Sequence, residues 1–273
     1  MIPAIFSRTY PLTTAEETFA AVKADGFAAV QFNLSNLGHA PLPDALPDGL
    51  EMVARQADKA GIVLCALSGT WNMAHPDPAH RAAQRPKFRN VLLAAKALGA
   101  PVVTLCTGSR HAANMWAAHP DNSTAQAWAD LSAELGWALD QAAQLGLSLG
   151  IEPEPANVIA DAPTARRILD QMQAPHLGIV LDAANLIPGD KAAQQSGILS
   201  QAIDLLGGDL LLAHAKDHDA AGNVTAPGDG VIDLPAFALA LKVAGYAGPL
   251  IAHGFAAADS ARAGKAMQTL CAI

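Results

Sequence analysis

Residues 148–182 read SLGIEPEPANVIADAPTARRILDQMQAPHLGIVLD. The stretch opens on a short apolar run, Ser148–Glu152, and closes on another, Leu177–Asp182. Between them Pro163 suits a first helical turn, where a missing N–H costs nothing. Two short runs joined through a helix make a β–α–β unit, and such a crossover lays its strands parallel. Parallel strands are buried on both faces, so they read as continuous apolar runs rather than as alternation.

The same unit recurs in both directions along the chain. Further strands are expected at Ile2–Ser7, Ala28–Asn33, Ile62–Ser68, Val102–Gly108, Leu210–Lys216 and Pro249–Gly254. A helical stretch follows each. Thr13 and Thr14 stand three residues before Glu16 and Glu17, a capping signal. Pro235 suits a first turn, and Gly61, Gly99, Gly146 and Gly245 stand where helices end before the next strand. Eight units in 273 residues predict an α/β fold of one domain, residues 1–273, closed as a (β/α)₈ TIM barrel. The rival open, doubly wound sheet lacks its signatures, since neither G-x-G-x-x-G after the first strand nor G-x-x-x-x-G-K-[ST] occurs.

Composition narrows the function. Hydrophobic residues make up 51% and charged residues 15%, which excludes a disordered chain. A formal net charge of -8 disfavours a nucleic-acid partner, because an acidic protein gains nothing from counterion release. No apolar run reaches the roughly 18 residues of a membrane span, and the first residues do not read as a signal peptide. The three cysteines, Cys65, Cys106 and Cys271, are odd in number and widely spaced, which fits buried thiols in a reducing cytoplasm. The oligomeric state stays open, a homo-oligomer included.

In a barrel of this kind the active site forms at the C-terminal ends of the strands. There the chain places Glu152, Asp182, His214 with Lys216, and His253. Side chains alternate along a strand, so inward Glu152, Asp182 and His214 leave Leu149, Ile151 and Leu181 facing the helices. Buried charges need partners. Two readings meet that need: a divalent cation held by Glu152, Asp182, His214 and His253, or carboxylates paired with Lys216 or a protonated histidine. The mixed oxygen and nitrogen donors suit Mn, Fe, Co or Zn better than Mg. Glu154, held extended between Pro153 and Pro155, either supports the cluster or lies in an exposed loop. Asn185 and Asn72 either bond substrate hydroxyls or serve their turns. Trp71 and Trp116 fall in loops after strands and can stack on a ligand or wall off water, whereas Trp128 and Trp137 read as packing residues. Asp217 is expected to orient the loop it opens. His39, His75, His111, His119 and His218 are expected at the surface.

These residues also carry a resemblance. Ala66-Leu67-Ser68-Gly69 with Asn72, Asp77-Pro78 to Arg81, Ala97-Leu98-Gly99-Ala100 and Gly150-Ile151-Glu152-Pro153-Glu154 come in that order. Leu181-Asp182-Ala183-Ala184-Asn185, His214-Ala215-Lys216-Asp217, the run from Pro227 to Asp233 and the run from Gly245 to Leu250 follow. Together they resemble the sugar phosphate isomerase/epimerase branch of the xylose isomerase-like barrel superfamily, along nearly the whole chain. The resemblance implies metal ligands at Glu152, Asp182 and His214. It also implies a fourth ligand on strand 8, where the family has Glu and this chain has His253. Gln31 likewise falls where an acidic residue is common. The implied chemistry is proton abstraction beside a carbonyl, with Glu152 as ligand and acid/base, His253 as fourth ligand or second acid/base, and Lys216 on a substrate oxygen. The expected function is therefore a divalent-metal-dependent isomerase or epimerase of a small carbohydrate-like molecule. The alternatives are a lyase of inosose or dehydroshikimate type on the same scaffold, and a catalytically impaired sugar-binding homologue.

Overall fold

The structure is a computed structural model that describes residues 1–273, with 189 and 190 described through their backbone only. The barrel strands in chain order are β1 (Ile2–Phe6), β2 (Ala29–Phe32), β3 (Val63–Ser68), β4 (Val102–Leu105), β5 (Ser148–Ile151), β6 (Leu177–Asp182) and β7 (Leu210–Ala215). A small antiparallel hairpin follows, β8 (Asp217–His218) with β9 (Val224–Thr225), and then the last barrel strand, β10 (Pro249–Ala252). All barrel pairings are parallel, and the ring closes in the order β1-β10-β7-β6-β5-β4-β3-β2. The predicted TIM barrel is thus observed.

Helices α1 (Ala15–Ala24), α2 (Leu50–Ala60), α3 (Pro78–Leu98), α4 (Ala125–Leu145), α5 (Ala162–Met172), α6 (Ala183–Leu186), α7 (Gln195–Leu206), α8 (Leu234–Val243) and α9 (Ser260–Ala272) make up the rest of the regular structure. Thr14 caps α1 by accepting from the Glu17 N–H. Asp161 caps α5 with Pro163 in its first turn, and Asp233 does the same for α8 with Pro235. Gly99 closes α3 at φ 71°, a left-handed conformation that other residues avoid, and Gly61 and Gly146 close α2 and α4 likewise. Helix α8 stops one residue earlier than Gly245 suggests, with Ala244 as its cap. Among the described residues no helix is long and apolar enough to cross a membrane.

The core has two layers. Phe19, Phe32, Phe88, Leu105, Leu131 and Phe237 fill the space between strands and helices, together with Leu149, Ile151 and Leu181 as the alternation predicts. Small and branched residues, among them Ala4, Ala29, Ala66, Val102, Val180, Leu212 and Ile251, fill the barrel interior. Gly150 faces inward, where a Cβ would lie 2.9 Å from the Val180 methyl. That close packing forms the floor beneath Glu152.

Several observed strands are shorter than expected at their C-terminal ends. Ser7, Asn33, Glu152, Lys216 and His253 all lie just past the last residue of their strands. Their backbones leave the ladder where the mouth opens, yet the Glu152 N–H still bonds Leu105 O at 2.8 Å. Strand 1 therefore presents Phe6 to the interior, while the Ser7 hydroxyl is taken by Asn36 Oδ1 at 2.7 Å. Asp130 on α4 holds the mouth on one side. It bonds Arg81 at 3.0 Å and Arg110, in the loop after β4, at 2.6 Å. Asp217 holds the other side, accepting from the backbone N–H groups of His218, Gly228, Gly230 and Ile232, as its expected loop role requires.

Candidate metal centre

Four side chains converge at the C-terminal mouth. Asp182 is the last residue of β6 and also caps α6: its Oδ1 accepts from Ala184 N at 2.9 Å and Asn185 N at 3.4 Å. That pins the carboxylate and leaves Oδ2 facing His253 Nε2 at 3.1 Å. His214 is the direct cross-strand partner of Asp182, and its Nδ1 lies 3.2 Å from Glu152 Oε1 and 4.0 Å from Asp182 Oδ2. One donor atom each from Glu152, Asp182, His214 and His253 can be chosen so that all four lie within 4.8 Å of one another. Asp182 and His214 are each 1% exposed, so water cannot serve them.

Gln31 decides how His214 presents itself. Its amide nitrogen donates to Thr104 Oγ1 at 3.2 Å, which turns its Oε1 toward His214 Nε2 at 2.9 Å. Nε2 is then the N–H donor of the ring, and the Nδ1 lone pair points at two carboxylates. Three acceptors converge stably only around a proton or a cation. The donor set, two carboxylate oxygens and two imidazole nitrogens with a supported tautomer, fits a divalent transition metal or zinc.

Without such an ion the proton takes its place. Burial alone would lower the basicity of His214, but the charge of Glu152 and its hydrogen bond raise it. Burial would raise the carboxyls of Glu152 and Asp182, yet both are held below their ordinary range. For Glu152 the cause is the positive charge of His214. For Asp182 it is the bond from His253 and the charge of Lys216. His253 is pushed down by burial and by the positive His214 beside it.

The sequence model of one family, described as xylose isomerase-like TIM barrel, matches residues 19–272. The chain belongs to this family. No curated protein matches it significantly. Solved structures share the family fold. The 3-keto-D-glucoside 4-epimerase of E. coli superposes with a TM-score of 0.77 at 19% identity, over 98% of this chain and 99% of that one. The IOLI protein with a bound zinc atom gives 0.77 at 18% identity, over 100% and 98%. A fusion of a xylose isomerase-like TIM barrel with 4-hydroxyphenylpyruvate dioxygenase gives 0.76 at 18% identity. It aligns over 96% of this chain, which spans only 42% of the fusion's length.

In this member of the family the centre opens into a cavity of about 430 Å³, lined among others by Phe6, Arg8, Gln31, Cys106, Glu154 and Lys216. Trp116 lines the same cavity from the loop after β4 and is 51% exposed. A larger cavity of about 580 Å³ lies at the opposite strand ends, between α2, α3 and the start of β3, with only Asp58 and Lys96 as charged lining groups. The cluster of Glu152, Asp182, His214 and His253 borders the smaller one. Glu154 is on the cavity wall rather than in an exposed loop. Burial, with the charges of Glu152 and Asp182 adding to it, pushes its carboxyl up to about 7 against the opposing pull of Lys216. Lys216 is also on the wall, and its Nζ donates to Asn185 Oδ1 at 2.8 Å.

Three expected substrate contacts are placed differently. The Asn185 amide is engaged at both ends: Nδ2 donates to Glu152 Oε1 at 3.0 Å and to Pro153 O at 3.2 Å, while Oδ1 holds Lys216. It positions two cavity groups instead of facing the cavity. Asn72 is spent on Ser109, donating to its carbonyl at 2.9 Å and accepting from its N–H at 3.0 Å. Trp71 is buried with its ring against Phe88 at 4.2 Å, outside the central cavity. Two expected surface histidines are buried as well. His75 Nε2 meets Ala112 O at 3.0 Å, and His218 Nε2 meets Ile187 O at 2.7 Å. Of the cysteines, Cys65 and Cys106 are buried and Cys271 is half-buried. Cys106 Sγ lies 3.7 Å from Glu152 Oε2, a site neighbour that sequence reasoning missed, as it missed Phe6 and Arg8. Only the inward parity of Cys106 with Thr104 pointed to it.

Proposed function

We propose that the protein is a divalent-metal-dependent isomerase or epimerase of a carbohydrate or polyol, working by proton abstraction next to a carbonyl. The observation that carries this reading is the convergence of Glu152, Asp182, His214 and His253 around one point at the mouth of a cavity. A cation held by those four side chains would supply positive charge to polarise a carbonyl and stabilise the developing enediolate. The zinc bound by the IOLI protein and the epimerase named among the structural neighbours support the same reading.

The chain's own groups then divide the work. Glu152 removes the proton on carbon, and Asn185, bonded to Oε1, keeps its carboxylate oriented. His253 serves as the fourth ligand, or, where the ion rests on Glu152, Asp182 and His214 alone, as the acid that returns a proton. Lys216 holds a substrate oxygen, steered by Asn185. Phe6 and Trp116 wall the cavity and restrict water. Glu154 gives the cavity a third protic group, and this favours a lyase as the second reading, because loss of a hydroxyl needs an additional acid.

Elemental analysis of the purified, unchelated protein tests the metal, and solvent deuterium uptake across a panel of ketoses and inososes tests the chemistry. About one Mn, Fe, Co or Zn per chain, with deuterium entering beside the carbonyl, is expected. Glu152→Gln is expected to lower exchange by about 10²–10⁴-fold. Exchange that survives in this variant removes Glu152 from its role, and product analysis separates isomerase from lyase.

A further inference from the structure

The cavity carries one charge more on the positive side than a barrel with a glutamate on its last strand would. Glu152, Glu154 and Asp182 are its carboxylates, and Lys216 and Arg8 its side-chain cations. Counted with every carboxyl ionised, three negative charges against two side-chain cations and one divalent ion leave a single positive charge, and a proton on Glu154 only adds to it. This stands in a protein whose formal net charge is -8. His253, in the position where the family resemblance implies a glutamate, accounts for the difference.

The two cations have a defined placement. Strand β10, which carries His253 just past its end, lies between β1 and β7 in the ring. Arg8 stands just past β1 and Lys216 just past β7, so they flank His253 from both sides, with strand axes about 10 Å apart. Lys216 is tethered inside by Asn185. Arg8 is exposed, lines the cavity, and takes part in no ion pair among the described residues. Arg55, Arg89 and Arg167 are likewise exposed and in no ion pair among the described residues, but of these arginines Arg8 alone lines the central cavity.

We infer that the substrate is an anionic polyol or sugar, whose carboxylate or phosphate docks over β10 between Arg8 and Lys216 and supplies the negative charge that strand lacks. The inference rests on the metal-dependent reading above. Arg8 is then a specificity residue, offering a planar two-pronged donor to an anion.

The test uses three unreactive chains of equal length: D-glucitol, D-gluconate and D-glucitol 6-phosphate. Their affinities for the metal-loaded protein are measured by calorimetry, with metal content confirmed by elemental analysis, for the wild type, Arg8→Gln and Arg8→Lys. At least one anion is expected to bind about tenfold tighter than glucitol, the preference weakening with salt. Arg8→Gln should cut that preference about fivefold, and Arg8→Lys should restore part of it. Whichever anion shows the effect identifies the group. A preference that survives intact in Arg8→Gln comes from chelation at the ion and overturns the inference. Equal affinities for all three overturn it too, while leaving the metal-dependent reading in place. A protein that retains no metal overturns the reading beneath it and this inference together.

Discussion

Replacing Gln31 by Leu takes away the one acceptor that faces His214 Nε2 among the described residues, at 2.9 Å, in a site where the ring is 1% exposed. Two outcomes are open to the imidazole. It keeps its proton on Nε2 and leaves a buried donor unpaired, at about 1–3 kcal/mol. Alternatively it moves the proton to Nδ1, where Glu152 accepts it at 3.2 Å, and so loses the lone pair that faces the carboxylates. Either way the ion is held less tightly by about that amount, which converts to roughly ten- to a hundredfold in affinity. The Thr104 hydroxyl, the other partner of Gln31, can rotate and adds little. The assay is competition for Zn or Mn against a chromophoric chelator, with thermal unfolding as a check that the variant is folded. Gln31→Glu should shift the affinity the other way, since a carboxylate accepts more strongly and adds a negative charge. A folded Gln31→Leu protein with unchanged metal affinity would falsify the claim that Gln31 sets the ring of His214.

Three further outcomes follow from groups away from the ion. Asp130→Asn removes the charge shared by Arg81 and Arg110 and should cost about 2–4 kcal/mol in denaturant unfolding; a loss below the error of the fit would show the cluster to be solvated. Asp217→Asn puts an amide where four backbone N–H groups now find acceptors, so amides of residues 228–232 should exchange faster with deuterium while β1 to β6 stay protected. The Cys65 thiol is pushed up to about 12 by burial, so the native state holds a proton that the unfolded chain releases near pH 9. Stability should therefore be full below pH 9 and fall as pH rises toward 12. Cys65→Ala should show a shallower decline between pH 9 and 10, before the tyrosines titrate, and an identical slope would discard burial of that thiol as the cause.

Much of the site was legible because strand ends and side-chain parity are local properties. The run from Ser148 to Glu152 and its repeats fix strands that are parallel and buried, and a closed barrel of them has one mouth. A period of two residues then carries Asp182 inward with Val180 and His214 inward with Leu212, as observed. The three misplaced contacts share one physical feature. Asn185, Asn72 and Trp71 carry polar groups that suit a sugar, but other parts of the protein claim or cover them first. Asn72 meets Ser109 and Trp71 meets Phe88 from distant loops and helices, and nothing local announces those partners. Buried His75 and His218 follow the same logic, each accounted for by a backbone carbonyl from another segment.

By itself the sequence determined the number and direction of the barrel strands, the closed ring and the four ligand-type side chains at its mouth, but not the small β8–β9 hairpin. Hydrophobic runs, caps and strand alternation act within a few residues of the chain. Only the tertiary structure decided which nitrogen of His214 faces the carboxylates, which amides are left for a substrate, and that Arg8 and Lys216 stand on either side of His253. Those properties are set by hydrogen bonds and charges between residues far apart, such as Gln31 and His214, which are separated by 183 positions. Packing alone brings them within bonding distance.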